Sequence, residues 1–258
     1  MCLIVFSVNA HAEFPLIVAA NRDEFYRRPT RNADFWPDNP NILAGRDMEA
    51  GGTWLGLHRA GRFAAVTNVR NGRDKKTYSK SRGNLVVKGL TEASAKFNDA
   101  ARKNKLSLDH YDGFNLIYGD PDAFFFLSNR GYAPAGRLSP GIYGLSNASL
   151  DTPWPKVDTA KHEFSKIIRA SSDVEILEQA LLHMMSDQSK PERDKLPDTG
   201  VGENLEWLLS SRFIRAEQYG TRSTSIILYH KSGRVHFIER NFQPEEKDQR
   251  YAFSVENG

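Results

Sequence analysis

Cysteine is all but absent from this chain: of 258 residues, only Cys2 carries a thiol. One thiol rules out an intramolecular disulfide, and such scarcity fits a reducing compartment. Long apolar runs are also missing, and none approaches the roughly 18 residues of a membrane span. Neither charge dominates. Lys and Arg total 35 against 32 Asp and Glu, a net +3, which does not argue for nucleic acid and comes with no helix-turn-helix or stacking-aromatic signature. No Cys-x-x-Cys-His run exists to attach haem covalently, and no His-x-x-x-His pair to hold a metal. Ala10-His11-Ala12 resembles a cleavage site, but no Lys or Arg precedes the short apolar run before it, so a signal peptide is not expected. Internal repeats and Pro/Gly/Ser-rich linkers are lacking too. The chain therefore reads as one cytoplasmic domain, residues 1–258, with 243–258 as a peripheral tail, not an integral membrane protein.

What is present begins at the N-terminus. Cys2 leads into Leu3-Ile4-Val5-Phe6, and a polar link leads into Pro15-Leu16-Ile17-Val18-Ala19-Ala20. Two short β-branched runs so joined predict a hairpin. The second run stops at Asn21-Arg22-Asp23-Glu24, so the hairpin carries this cluster toward Cys2. A position-two cysteine is small enough for Met1 to be trimmed. The α-amine so freed ordinarily titrates at about 7.7–8.0 and can take the thiol proton. The plain alternative for Cys2 is a small apolar residue opening a buried strand. For Asp23 it is an ion pair with Arg22 or Arg27 at a strand end.

Further along, Phe25 to Asn41 is rich in Arg, Pro and Asn and reads as irregular. Gly51-Gly52-Thr53 opens Trp54-Leu55-Gly56-Leu57, which pairs across Arg59-Ala60-Gly61 with a strand ending at Asn68. Arg70 to Lys88 is basic, and reads as a solvated loop or a clamp for an anionic ligand. A short helix is predicted from Thr91 to about Lys103. Strands are predicted at 114–118, 123–127 and 142–145, the last running into Ser146-Asn147. Two amphipathic helices follow, one after Thr152-Pro153-Trp154-Pro155, the other capped by Ser172-Asp173. Asp187 to Gly202 reads as a mobile lid or loop, and a short helix covers about Glu203 to Leu209. A last hairpin turns at Lys231-Ser232-Gly233. This order predicts an α+β fold with mainly antiparallel sheets.

Cys2, the Asn21-Arg22-Asp23-Glu24 tetrad, Gly51-Gly52-Thr53-Trp54 and Gly144-Leu145-Ser146-Asn147 together resemble the NRDE family, the Transport and Golgi Organisation proteins. The resemblance implies a four-layer αββα sandwich of the N-terminal-nucleophile hydrolase kind, with links to haem handling and lipid homeostasis. Through that fold the chain is also similar to the cysteine amidases, such as bile-salt hydrolases and penicillin V acylases. That likeness implies Cys2 as nucleophile and Asp23 as the aspartate of the second strand. It implies Asn68 and Asn147 near the oxyanion, and Arg222 as the late arginine. Those amidases have an arginine three residues before the aspartate, where this chain has Ala20. On a regular strand Arg22 and Asp23 face opposite sides while Asn21 and Asp23 share one. Arg22 therefore reaches the site through a bulge or has a structural role.

The implied activity is acyl transfer on an amide or thioester of a small molecule. Cys2, Asp23, Asn21, Arg22, Asn68, Asn147 and Arg222 are the catalytic candidates, with Glu24, Trp54 and Arg70 for ligand binding and no metal or required cofactor. The other class is a carrier. Haem, transported and held non-covalently, needs an axial ligand from Cys2, His11, His58, His162 or His183 and cations for its propionates.

Overall fold

The computed structural model describes residues 2–103, 105–131 and 136–256. Met1, whose removal the chemistry above requires, lies outside the described residues, as do residues 257–258 of the tail. The chain runs through β1 (Cys2–Val8), β2 (Leu16–Phe25), β3 (Thr30–Trp36), β4 (Asn39–Asp47), β5 (Leu55–His58) and β6 (Phe63–Asn68). Helices α1 (Gly83–Thr91) and α2 (Ser94–Arg102) follow, then β7 (Phe114–Asp120), β8 (Ala123–Ser128), β9 (Gly136–Arg137) and β10 (Gly141–Leu145). The second half comprises α3 (Pro155–Ala170), α4 (Val174–Met185), α5 (Glu203–Leu208), β11 (Tyr219–Tyr229), β12 (Arg234–Asn241) and β13 (Lys247–Ser254).

The strands form two antiparallel sheets, a six-stranded one ordered β10-β1-β2-β11-β12-β13 and a seven-stranded one in chain order from β3 to β9. Alternation along the N-terminal hairpin sets the layers. Ile4, Phe6, Val18 and Ala20 face the other sheet and meet Leu55, Leu57, Phe63 and Ile117. Their neighbours Leu3, Val5, Ile17 and Ala19 face outward and pack under Phe164 of α3 and Leu181 and Met185 of α4. The outer face of the second sheet, with Ala64, Leu116 and Tyr118, is covered by Leu85 and Leu90 of α1 and Phe97 of α2. The result is the αββα sandwich that the family resemblance implied. Strands covered on both faces need no polar side, which is why the first parts of β1 and β2 read as unbroken apolar runs. Pro155 takes the first position of α3, and Asp173 caps α4, its carboxylate accepting from Ile176 N–H at 3.0 Å.

Four segments differ from the sequence reading. Residues 25–41 contain β3, an edge strand with polar side chains outward and two register shifts against β4. Such an edge shows no apolar alternation. The basic stretch 70–88 runs into α1, which buries Leu85, Val86 and Leu90, and the helix expected from Thr91 begins as α2 at Ser94. The tail is not peripheral: β13 pairs with β12 along its length, and Phe253 is buried between the sheets. Residues 187–202 form a loop, as the sequence reads, but one that is tied down rather than poised as a lid. Gly72 N–H donates to Thr199 O at 2.8 Å, Phe213 N–H to Asp187 O at 2.9 Å, and the Thr199 hydroxyl to Glu206 at 2.6 Å. Among the described residues no helix is long and apolar enough to cross a membrane.

Candidate active site

Cys2 opens β1 and stands directly opposite Arg22 in the β1–β2 register. Both share the parity of Ile4 and Ala20, so both side chains face between the sheets. There they meet a cavity of about 190 Å³, walled by Cys2, Arg22 and Ser223 from one sheet and by Trp54, Asn68 and Arg82 from the other side. Burial pushes the Cys2 thiol above its ordinary value and the Asp23 carboxylate adds to this, while Arg22 and the backbone N–H of Asp23 pull the other way. Burial dominates, so the thiol is protonated at neutral pH and reaction at sulfur calls for a base.

Arg22 needs no bulge in its own strand. The register shift lies in the partner strand, between Thr221 and Ser223 of β11. Ala20, where the amidases carry arginine, sits one pleat deeper on the same face and is packed into the core. The guanidinium donates from Nη1 to the Thr30 hydroxyl at 3.2 Å.

Asn21 and Asp23 share the opposite face, as alternation requires. Asn21 is wholly buried and does not line the cavity. Its Nδ2 donates to Met185 O at 2.9 Å and Arg212 O at 2.8 Å, and its Oδ1 accepts from the Thr224 hydroxyl at 2.6 Å. This candidate thus anchors β2 to the helical layer. Asp23 reaches the cavity wall at the end of the sheet. The Thr221 hydroxyl donates to its Oδ1 at 2.7 Å, and Tyr219 to its carbonyl at 3.2 Å. Burial raises its carboxyl, against the pull of Lys156, Thr221 and Arg22.

The two asparagines implied near the oxyanion meet, in unequal roles. Asn68 ends β6 and lines the cavity. Asn147 is buried behind it, and its Nδ2 donates to both the backbone carbonyl and the Oδ1 of Asn68, at 3.1 and 2.9 Å. With its own oxygen thus engaged, Asn68 offers Nδ2 to the cavity. Ser146 Oγ lies 3.2 Å from Cys2 O and 3.3 Å from Asn147 Oδ1, linking this pair to the first residue of β1. Here is the physical sense of Leu145-Ser146-Asn147: β10 flanks β1, and its end is stitched to the Cys2 backbone.

The Gly51-Gly52-Thr53-Trp54 run also has a packing reason. A Cβ on Gly52 would lie 2.7 Å from the Gly83 carbonyl carbon, so this turn lies flat against the start of α1. That contact brings Ser81, Arg82 and Gly83 to the cavity.

Trp54 and Glu24, the ligand-binding candidates, stand on the wall, with Glu24 at the partly exposed rim. Arg222 is also there, but its Nη1 donates to the carbonyls of Phe25, Tyr26 and Arg28 at 3.1, 2.8 and 2.7 Å, holding the turn out of β2. Arg70 is a different case. It does not line the cavity; it forms a buried ion pair with Glu206 at 2.6 Å and lies over the Trp154 ring. Of the basic side chains between Arg70 and Lys88, Arg82 alone lines the cavity. Cavity-lining Arg28 and Arg46 are largely neutralised, the first by Asp47 at 2.8 Å and the second by Asp38 at 2.6 Å. His11, His58, His162 and His183 lie elsewhere. His58 contacts Arg62, and burial lowers its pKa to about 4.

Two residues escaped the sequence reading. Lys156, in the first turn of α3, is buried and donates to Leu209 O at 2.8 Å. Burial lowers its pKa to about 8, with Asp23 opposing. Nothing in the local sequence marks it. Glu239 had a signal: it continues the inward alternation of Val235 and Phe237 along β12. Its Oε1 accepts from Ala33 N–H at 2.7 Å and Asn241 Nδ2 at 3.2 Å. Ala33 falls within the register shift between Arg31 and Asp34, which frees its N–H for a carboxylate from the other sheet.

A family model described as Transport and Golgi organisation 2 matches residues 1–244. The Transport and Golgi organization protein 2 homolog of Homo sapiens is 36% identical over 269 residues, covering 95% of each chain. The Transport and Golgi organization protein 2 of Drosophila melanogaster is 30% identical over 265 residues, covering 93% of this chain and 91% of its own. Among solved structures, the C2A mutant of conjugated bile acid hydrolase from Clostridium perfringens matches all of this chain and 94% of its own, with a TM-score of 0.52 and 11% identity. That likeness is one of fold, and the fold is that of the N-terminal-nucleophile hydrolases.

Proposed function

We propose, for a chain that belongs to the Transport and Golgi organisation 2 family, that Cys2 is the nucleophile of an acyl transfer on an amide or thioester of a small molecule. One observation carries the reading. The sole thiol faces a cavity, opposite a guanidinium, and shares the wall with an asparagine whose oxygen is held by a second asparagine, which leaves its amide nitrogen as the donor.

Once Met1 is removed, the α-amine of Cys2 takes the thiol proton and the sulfur attacks the carbonyl carbon. The C–S bond forms as the carbonyl electron pair moves to oxygen, where Asn68 Nδ2 donates to the oxyanion. Collapse expels the amine or thiol, which recovers the proton from the α-ammonium, and water then cleaves the acyl-enzyme. Asp23 orients the ammonium, while Arg22 stabilises the thiolate from across the hairpin. Asn147 acts through Asn68. Intact-mass measurement before and after exposure to an activated acyl ester, p-nitrophenyl acetate, tests this. An acetyl adduct on Met1-free protein, absent in Cys2→Ala, is the expected result. Retention of Met1 in protein from its own host, or no adduct, overturns it.

A second reading, carriage of haem, draws on one feature: among the described residues Cys2 is the only Cys, His, Met or Tyr on a cavity wall that also holds Arg22 and Arg82. A one-to-one Soret shift with haemin, lost in Cys2→Ala and indifferent to Met1, would favour it.

A further inference from the structure

The pairing registers put a row of polar side chains across the inner face of the six-stranded sheet. Cys2 faces Arg22, Arg22 faces Ser223 and Ser223 faces Asn241. All four line the same cavity, joined by Glu239 one pleat in from Asn241. In most of the sheet this face is apolar: Phe6, Val18, Ile227 and Phe237 occupy the equivalent positions deeper in the sandwich. The row is therefore a trough cut across the end of the sandwich. With adjacent strands about 4.8 Å apart, Asn241 stands about 10 Å beyond Arg22.

The groups along the trough follow an order. Beside Cys2 the inner face of the sheet and the wall across from it present donors, the Arg22 guanidinium and the Asn68 amide, with the Asp23 carboxyl at the sheet's end as the exception. At the far end the trough presents acceptors. Asn241 spends Nδ2 on Glu239 Oε1 at 3.2 Å and Gln249 Oε1 at 2.6 Å, which leaves its Oδ1. Glu239 has Oε1 taken by Ala33 N–H and Asn241. The Ser223 hydroxyl also stands within reach of the carboxyl, whose two oxygens have room for a further donor besides Ala33 N–H and Asn241. The carboxyl cannot swing away, because it is buried and Oε2 lies against Gly45, 3.4 Å from where a Cβ would stand.

We propose that Glu239 and Asn241 form a specificity subsite that reads an N–H donor, a primary ammonium above all, three strands or about 14 Å beyond the carbonyl held at Cys2. The ligand class is thus a chain with an acceptor at its reacting end and an amine at the other. The proposal rests on Cys2 being the reactive end of the site, as above, but not on turnover.

Because Cys2 is the only cysteine, a thiol probe reports on this site alone. The probes are chloroacetamides: one unsubstituted, and three with matched tails of about 14 Å ending in ammonium, methyl or carboxylate. In each, the sulfur attacks the methylene carbon, the C–S bond forms and chloride leaves. Rates are read by intact mass. The ammonium-tailed probe is expected to label wild type roughly tenfold faster than the methyl-tailed one. Glu239→Gln should erase that preference while leaving the rate with unsubstituted chloroacetamide unchanged. Equal rates for all tails, faster labelling by the carboxylate tail, or a preference that survives Glu239→Gln overturns the assignment. Should Glu239→Gln lose its circular-dichroism signature of folding, Ser223→Leu decides. Plugging the trough should abolish tail preference and spare the unsubstituted probe, and a retained preference overturns the subsite. Labelling requires no hydrolysis, so a chain that discriminates tails but forms no acyl adduct refutes the proposed function and leaves the subsite standing.

Discussion

Asn147 gives its side-chain amide to Asn68 twice, at 3.1 Å to the backbone carbonyl and at 2.9 Å to Oδ1. The pair acts as one donor, because the orientation of the cavity-facing amide is set from behind. Asn147→Asp replaces those donors by acceptors, so the Asn68 amide turns over and presents its oxygen to the cavity. Acyl transfer to Cys2 should fall by about 10²–10³, the usual loss of one oxyanion donor. Alkylation by iodoacetamide, which develops no oxyanion, should be unaffected. Parallel rate measurements on the same protein check both halves.

Arg22 faces Cys2 across the hairpin and is one of the groups that oppose the burial of the thiol. Arg22→Gln removes a cation and leaves a neutral side chain of similar reach. The midpoint of the pH–alkylation profile should move upward and the rate at pH 7 should fall several-fold. An unmoved midpoint would mean that the guanidinium does not act on the sulfur.

Much of this site was legible before any coordinates. Period-two alternation assigned Asn21 and Asp23 to one face and Arg22 to the other, and the structure keeps that split. What alternation cannot say is which face looks into the cavity; that depends on the layers above and below. Asn21 accordingly belongs to the helix-facing side, in β2's tie to Met185 and Arg212. The segments missed share a cause. Strands β3 and β13 lie at sheet edges, where charged side chains replace the apolar pattern. The first turn of α1 is hidden in a run of basic residues. Glu239 was readable from its parity with Phe237, whereas Lys156 and the Arg70–Glu206 pair depend on contacts between segments far apart in sequence.

Burial raises the Glu239 carboxyl above its ordinary value of 4.5. The sign follows from linkage. Above that value the unfolded chain releases the proton while the folded chain retains it, so stability is lost as pH rises toward the folded pKa. Glu239→Gln keeps an acceptor for Ala33 N–H but cannot ionise. The stability difference between Glu239→Gln and wild type should therefore grow in the variant's favour from pH 5 to pH 8. Urea midpoints at the two values measure it; a constant difference would show that the carboxyl does not titrate between them.

Arg70 and Glu206 form an ion pair at 2.6 Å with both side chains buried. The residue read from sequence as a ligand contact is thus a structural partner. Arg70→Met strands a buried carboxylate and should cost about 3–5 kcal/mol. Arg70→Met with Glu206→Gln should recover part of that loss, since the carboxylate that the single variant strands is then gone. A Cys2 alkylation rate unchanged in folded Arg70→Met would agree with its place outside the cavity.

Gly51 and Gly52 separate two reasons for using glycine. Gly51 adopts φ +77° with nothing within 4 Å of a would-be Cβ. Gly51→Ala therefore meets only the left-handed backbone penalty, about 1–2 kcal/mol. At Gly52 a Cβ would stand 2.7 Å from the Gly83 carbonyl carbon and 3.0 Å from its Cα and O. These are backbone atoms at the start of α1 and cannot swing aside. Gly52→Ala must push the helix start away, at about 1–3 kcal/mol by analogy with overpacked cores, and in doing so moves Ser81 to Gly83 off the cavity wall. Both variants should be less stable in urea. Only Gly52→Ala should also change the rate of Cys2 alkylation, because only that displacement reaches the cavity. Equal effects of the two on alkylation would mean that the approach of α1 to the glycine turn does not shape the site.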